Sequence, residues 1–87
     1  MARLQIKLVT GEVSDHKVTP SIEYAFEAYA KKGFSKAFVE DQKQTDIYWL
    51  AWECLRRSKS MDSIPSFGPA FIDLLDEVKV LDDLPND

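Results

Sequence analysis

The stretch Gln44–Arg57 reads Gln-Thr-Asp-Ile-Tyr-Trp-Leu-Ala-Trp-Glu-Cys-Leu-Arg-Arg, and it decides the fold. It contains both tryptophans and the one cysteine of the chain. Its apolar side chains cover most of a helical wheel, and a helix of that kind contacts neighbours on more than one side. The stretch is therefore predicted to be the central helix of the domain.

On this wheel one tryptophan falls among charged residues. The apolar arc holds Ile47, Tyr48, Leu50, Ala51, Trp52, Cys54 and Leu55. Trp49 lies in the remaining sector with Asp46, Glu53, Arg56 and Arg57. Because large aromatics on a polar face are enriched at interfaces, Trp49 is predicted to contact a partner. The alternative is that the wheel is misphased, or that the hairpin covers this side, which would make Trp49 a core residue.

The residues before this helix predict a β-hairpin followed by one longer helix. Leu4, Ile6 and Leu8 alternate with polar residues, Thr10-Gly11-Glu12 has turn composition, and the segment from Val13 to Val18 forms the return strand. Thr19-Pro20 starts a helix that runs to about Lys32, where Gly33 is expected to take the left-handed conformation. Tyr24 lies off the apolar face of this helix and is a second candidate for partner contact.

A short helix is predicted between the first helix and the central one. Ser35 is its expected cap, Phe34 is expected to pack on Val39, and Ala37 and Phe38 are expected to join the core. Thr45 is predicted to cap the central helix, with Asp46 in the first turn and Arg56-Arg57 in the last.

The C-terminal part predicts a last helix that begins near Ser66 or Gly68-Pro69 and ends at about Val78. Its apolar stripe is Phe67, Phe71, Leu74, Leu75 and Val78. Asp73, Asp76 and Glu77 form an acidic ridge opposite, which is typical of a solvated face and would also suit a basic partner. The segment from Val78 to Leu81 is compatible with a short closing strand against the hairpin.

These elements define a small α+β fold, mostly helical, with an N-terminal β-hairpin packed on three to four short helices. Residues 1–81 are predicted to form one domain and residues 82–87 an acidic tail. A single cysteine allows no internal disulfide, which fits a reducing compartment. The N-terminus does not show the pattern of an export signal, and no apolar run is long enough to span a membrane.

The residues with catalytic chemistry are few. His16 and Cys54 would form a nucleophilic pair only if they met with the thiol accessible, and a buried cysteine usually behaves as a small hydrophobe. The sequence has no phosphate-binding glycine loop and no paired metal-ligand motif, so we expect no enzyme activity and no cofactor or metal. A net charge of −4 also disfavours nucleic-acid binding, although Arg56, Arg57 and Lys59 form a local basic cluster.

The chain resembles a known family over most of its length. The segments Tyr29–Phe34, Lys36–Phe38, Gln44–Arg57, Phe67 with Phe71–Leu75, and Val78–Leu81 look like those of the small tail assembly chaperones of long-tailed bacteriophages. The opening strand and the Val18-Thr19-Pro20 helix start share in the likeness. The aromatic tract that ends in paired arginines is its most distinctive part.

The resemblance implies a non-enzymatic protein of the host cell cytoplasm that binds the tape measure protein and recruits tail tube subunits. The chain would correspond to the short form of such a chaperone, and homo-oligomerisation is compatible with this role. Partner contact would involve Trp49, Tyr24, Arg56 and the acidic residues Asp73, Asp76 and Glu77. The alternatives are another small phage interaction protein, such as a head–tail adaptor or a host-defence inhibitor, and a nucleic-acid-binding module.

Overall fold

The protein, described here by a computed structural model for residues 2–59 and 63–82, is a three-stranded antiparallel sheet covered on one side by helices. The strands are β1 (Ala2–Leu8), β2 (Val13–Lys17) and β3 (Leu75–Asp82), in the order β2-β1-β3. The helices are α1 (Pro20–Ala30), a π-helix (Lys36–Asp41), α2 (Gln44–Ser58) and α3 (Pro69–Ile72). The predicted α+β fold, with its hairpin and closing strand, is confirmed.

The hairpin forms where the alternation predicts it. Leu4 and Ile6 are fully buried on the helix side of β1, and they pair with His16 and Ser14 of β2. The turn closes through a hydrogen bond from Gly11 N to Leu8 O (2.8 Å), and Gly11 has a positive φ of 99° that suits glycine.

The end of the chain departs from the prediction of a last helix. α3 contains only Pro69–Ile72, and β3 begins at Leu75, so Asp76 and Glu77 belong to a strand and the predicted helical ridge is wrong. The physical reason is pairing with β1, where Ile6 lies opposite Val78 and Leu4 opposite Val80. Asp82 ends β3, whereas residues 83–87 of the predicted tail lie outside the described residues.

Two of the next three helix ends differ from the prediction. Thr19 caps α1 as expected, and its Oγ1 accepts a hydrogen bond from Ile22 N (3.3 Å). However, the left-handed residue that closes α1 is Lys31 (φ 61°), because its N–H bonds to Glu27 O one residue after the helix; the prediction for Gly33 is wrong. α2 begins at Gln44, which places Thr45 inside the first turn, so Thr45 is not the cap.

The segment Lys36–Asp41 is a π-helix with an i to i+5 hydrogen bond from Gln42 N to Ala37 O (2.7 Å). Ser35 has helical dihedral angles and makes no capping hydrogen bond, so the predicted Ser35 cap is wrong. Ala37 and Phe38 join the core as predicted. The side chain of Val39 lies outside the described part of the chain, and with it the predicted Phe34–Val39 contact.

The core has two parts on opposite sides of α2. On the sheet side, Leu50, Ala51, Cys54 and Leu55 pack with residues of β1, α1 and α3. On the other side, Trp49 packs with Phe26 of α1 and Ala37 of the π-helix. α2 is therefore the central helix, as predicted, but its buried arc extends into the sector that the wheel assigned to solvent.

Candidate functional site

The structure places the predicted interface residue Trp49 in the core. Its side chain is 8% exposed. The Trp49 ring stacks on Tyr29 with the centroids 4.5 Å apart and lies edge-on to Phe26 at 5.9 Å. The prediction that Trp49 faces a partner requires an exposed side chain. It is wrong, because α1 covers this side of α2 and buries Trp49.

The two acidic neighbours of Trp49 on the wheel, Asp46 and Glu53, are also buried, and each has a counter-charge. Glu53 is 2% exposed and accepts hydrogen bonds from Arg56 (2.8 Å) and from Arg57 (2.6 Å). Asp46 is buried with Lys32 Nζ 3.0 Å from its Oδ2. Such pairing permits a carboxylate to lie at a helix interface.

Two residues of the basic cluster at the end of α2, Arg56 and Arg57, make contacts within the molecule. Arg57 also donates to Ser21 Oγ (2.8 Å) at the start of α1, and the Arg56 guanidinium lies 5.2 Å from the Trp52 ring centroid. Both guanidinium groups therefore have partners within the chain, which weakens their candidacy as nucleic-acid contacts. Arg56 is still exposed on part of its surface.

At the other end of α2, Lys32 joins α1 to the π-helix. Its Nζ donates a hydrogen bond to Asp41 Oδ2 (2.8 Å) and thereby raises the pKa of Lys32 and lowers the pKa of Asp41. Lys36 adds a second, longer contact of 3.7 Å to Asp41. The pair of Lys32 with Asp41 joins the end of α1 to the π-helix.

His16 and Cys54 do line one open hollow, together with Thr19, Ile22 and Arg57. Burial raises the pKa of the Cys54 thiol to about 12, which disfavours the thiolate that a nucleophilic pair needs. His16 Nε2 lies 2.8 Å from Ser14 Oγ, and burial lowers the pKa of His16 despite the opposing effect of Asp15. Within residues 2–59 and 63–82 no cluster of His, Cys, Asp or Glu could hold a metal ion.

The remaining predicted residues do not form one site. Tyr24 is 79% exposed on α1, and Asp73 is exposed in the turn after α3. Asp76 is the extra residue at an irregularity between β1 and β3, and its Oδ2 lies 3.6 Å from Lys7 Nζ. Glu77 lies opposite Lys7 in the β1–β3 register.

Two of these acids line a groove between α2 and β3, which we call the α2–β3 groove. Its lining residues are Gln44, Tyr48, Ile72, Leu75, Asp76, Glu77 and Val78. The apolar and aromatic members, Tyr48, Ile72, Leu75 and Val78, are half-buried, whereas Gln44, Asp76 and Glu77 are exposed. The volume of about 230 Å³ is smaller than a typical small-molecule pocket and suits one or two side chains of a partner.

Sequence reasoning found the acids of this groove but missed its apolar part. Tyr48 belongs to the predicted apolar arc of the central helix, and Ile72 belongs to no predicted site. The signal that unites them is the strand β3, because pairing with β1 brings Val78 beside the first turns of α2.

No helix in the described part of the chain is long and apolar enough to cross a membrane.

The chain was compared with protein families, curated proteins and solved structures. No protein-family model, no curated protein and no solved structure matches the chain. Function therefore has to be argued from the residues and their arrangement.

Proposed function

We propose that this chain is a non-enzymatic protein-binding domain that acts as a tail assembly chaperone of a long-tailed bacteriophage. Its client is the tape measure protein, which it keeps soluble in the host cytoplasm, and tail tube subunits are a second partner. The sequence resemblance supplies the family and the client. The α2–β3 groove is the structural observation that supports a binding role.

The groove combines the two properties that recognition of an amphipathic segment requires. Half-buried Tyr48, Ile72 and Val78 offer apolar contact, and the exposed acid Asp76 lies at its rim. The client segment that fits is helical or extended, with apolar anchors and a basic flank. Trp49 does not contribute to this surface, because it is a core residue.

An enzymatic role has less support. The Cys54 thiol, with its pKa raised to about 12, is the opposite of an activated nucleophile, and the small groove holds no histidine or cysteine. Nucleic-acid binding through Arg56 and Arg57 also has less support, because Glu53 pairs with both. Another phage interaction role, as a head–tail adaptor or a host-defence inhibitor, would use a similar groove and differs in its partner.

The test is co-expression with a tape measure protein, taken from the genome that encodes this chain. We expect the chain to raise the soluble fraction of that protein and Asp76→Lys to reduce the effect, because it reverses the charge at the rim. Asp73→Lys is the matched control, since Asp73 is exposed in the same region but does not line the groove. Circular dichroism checks that both variants fold.

Equal activity of Asp76→Lys and the unmodified chain would remove the groove from the proposal. No effect of the unmodified chain on tape measure solubility would contradict the chaperone function itself. A gene position away from any tape measure gene would favour the adaptor or the inhibitor.

A further inference from the structure

The strand β3 forms one edge of the sheet. Among residues 2–59 and 63–82, its one strand neighbour is β1, so the outer side of its backbone is available for pairing. Val80 and Leu81 of this strand are 39% and 36% exposed. An eight-residue edge with apolar exposure is suited to strand addition.

The register with β1 shows which side chains of β3 lie on each face. Val78 and Val80 lie opposite Ile6 and Leu4 and therefore on the helix side. Glu77 and Lys79 lie opposite Lys7 and Gln5, on the open side, with their charged groups 4.0 Å apart. The open face of β3 thus presents an acid and a base two residues apart.

This spacing makes β3 complementary to itself. A twofold axis perpendicular to the sheet pairs two antiparallel strands and keeps both helical layers on the same side. With the axis at Val78, Glu77 of each copy lies opposite Lys79 of the other, so the pairing creates two cross-strand ion pairs. Val78 then faces its own counterpart on the helix side.

Other self-pairings are less favourable. With the axis at Lys79, the two lysines lie opposite each other, which is a repulsive arrangement. The second edge strand, β2, has five residues, and full-length self-pairing would place Asp15 opposite its own copy.

We propose that two copies of this chain associate through β3, antiparallel and with the axis at Val78, to form a continuous six-stranded sheet. Backbone hydrogen bonds between the two β3 strands supply the attraction, and the Glu77–Lys79 pairs fix the register. Because Val78 also lines the α2–β3 groove, the two grooves adjoin at the axis. The association does not depend on the identity of any client.

A cysteine at the axis tests the register directly. Val78→Cys places two thiols opposite each other at a distance that allows a disulfide. Val13→Cys is the control, because Val13 is exposed at the other edge strand. We expect mild oxidation to convert most of the Val78→Cys protein to covalent dimer, while Val13→Cys stays largely monomeric and the buried Cys54 does not react.

Charge reversal is the second test. By analytical ultracentrifugation we expect Lys79→Glu to weaken dimerisation about tenfold or more, because two ion pairs become repulsive. The double variant Glu77→Lys with Lys79→Glu restores the complementary pairs and should recover dimerisation to within about threefold. Circular dichroism verifies folding, since the lysine introduced at position 77 faces Lys7.

The proposal is overturned if the unmodified chain is monomeric at every concentration tested. It is also overturned if Val78→Cys cross-links no faster than Val13→Cys, or if folded Lys79→Glu dimerises as the unmodified chain does. A folded double variant that fails to recover dimerisation would reject the register. Dimerisation without any effect on tape measure solubility would leave this proposal intact and contradict the proposed function alone.

Discussion

At the scale of single residues, burial separates two aromatics that the sequence treats alike. Trp49 and Tyr24 both lie on the polar sides of their predicted helices. The structure buries Trp49 against Tyr29 and Phe26, whereas Tyr24 remains 79% exposed. The difference arises because α1 covers the polar sector of α2, while no described element covers the side of α1 that carries Tyr24.

Substitution of these two residues should therefore have very different effects on stability. Trp49→Ala is expected to lower the free energy of unfolding by about 3–5 kcal/mol, because it leaves a cavity between α1 and α2. Tyr24→Ala is expected to change it by less than about 0.5 kcal/mol. Urea denaturation followed by circular dichroism measures both, and a Trp49→Ala protein of unchanged stability would contradict the core assignment.

Cys54 makes a prediction about alkaline pH. Its thiol pKa is raised from 9.0 to about 12 by burial, so the folded state favours the protonated thiol. The stabilising contribution is complete below pH 9.0 and is lost as the pH rises from there towards about 12. Unfolding free energies across this window should fall more steeply for the unmodified chain than for Cys54→Ala, and equal slopes would contradict the burial of the thiol.

At the scale of elements, the helices end on residues other than glycine. Lys31, Gln42 and Lys59 follow α1, the π-helix and α2, and each has a left-handed backbone with φ between 50° and 61°. A side chain in this conformation costs about 1–2 kcal/mol relative to glycine. Gly33, which the sequence predicts as the left-handed residue after α1, is not among the residues with positive φ.

Substitutions at Lys31 and Gly33 should change stability in the opposite direction to that expected from the sequence. Lys31→Gly is expected to stabilise the protein by about 0.5–1 kcal/mol, because it relieves the left-handed side chain. Gly33→Ala is expected to be neutral or stabilising by up to about 1 kcal/mol, since an added Cβ meets no atom within 4 Å. Thermal denaturation checks both variants, and strong destabilisation by Gly33→Ala would restore Gly33 as the left-handed residue.

The same scale shows what the sequence can and cannot determine. Alternation in β1 and the Thr19-Pro20 helix start depend on neighbouring residues, and both are where the sequence predicts them. The segment after Phe71 satisfies two periods, because Phe71, Leu75 and Val78 have helical spacing while Val78 and Val80 alternate as in a strand. The segment forms a strand because it pairs with β1, which is far away in the chain. Local spacing carries no information about that partner.

The candidate site was only partly predictable for the same reason. The acids Asp76 and Glu77 were recognised, but as members of a helix. The half-buried Tyr48 and Ile72 become lining residues because β3 and α2 meet, which is a tertiary event. The wheel also assigned Asp46 and Glu53 to solvent. The pair of Asp46 with Lys32 forms only when separate elements pack. Arg56 and Arg57 pair with Glu53 within α2, so for Glu53 it is the burial that depends on packing.

At the scale of the whole molecule, the sheet leaves one face open and one strand edge available, and the helical layer adds a groove beside that edge. The open face is charged, with Arg3, Lys7 and Lys79 among acids such as Asp15 and Glu77. The available edge suits a second copy, and the groove suits a client segment. The proposed assembly and the proposed client binding thus share Val78 but are tested by different variants, Lys79→Glu and Asp76→Lys.

The most direct test of the central claim, that the α2–β3 groove binds the tape measure protein, is a nuclear magnetic resonance titration with segments of that protein. We predict that resonances of Tyr48 and Ile72 shift with increasing client, while those of Tyr24 on α1 do not. Shifts at Tyr24 with Tyr48 and Ile72 unchanged would contradict the claim.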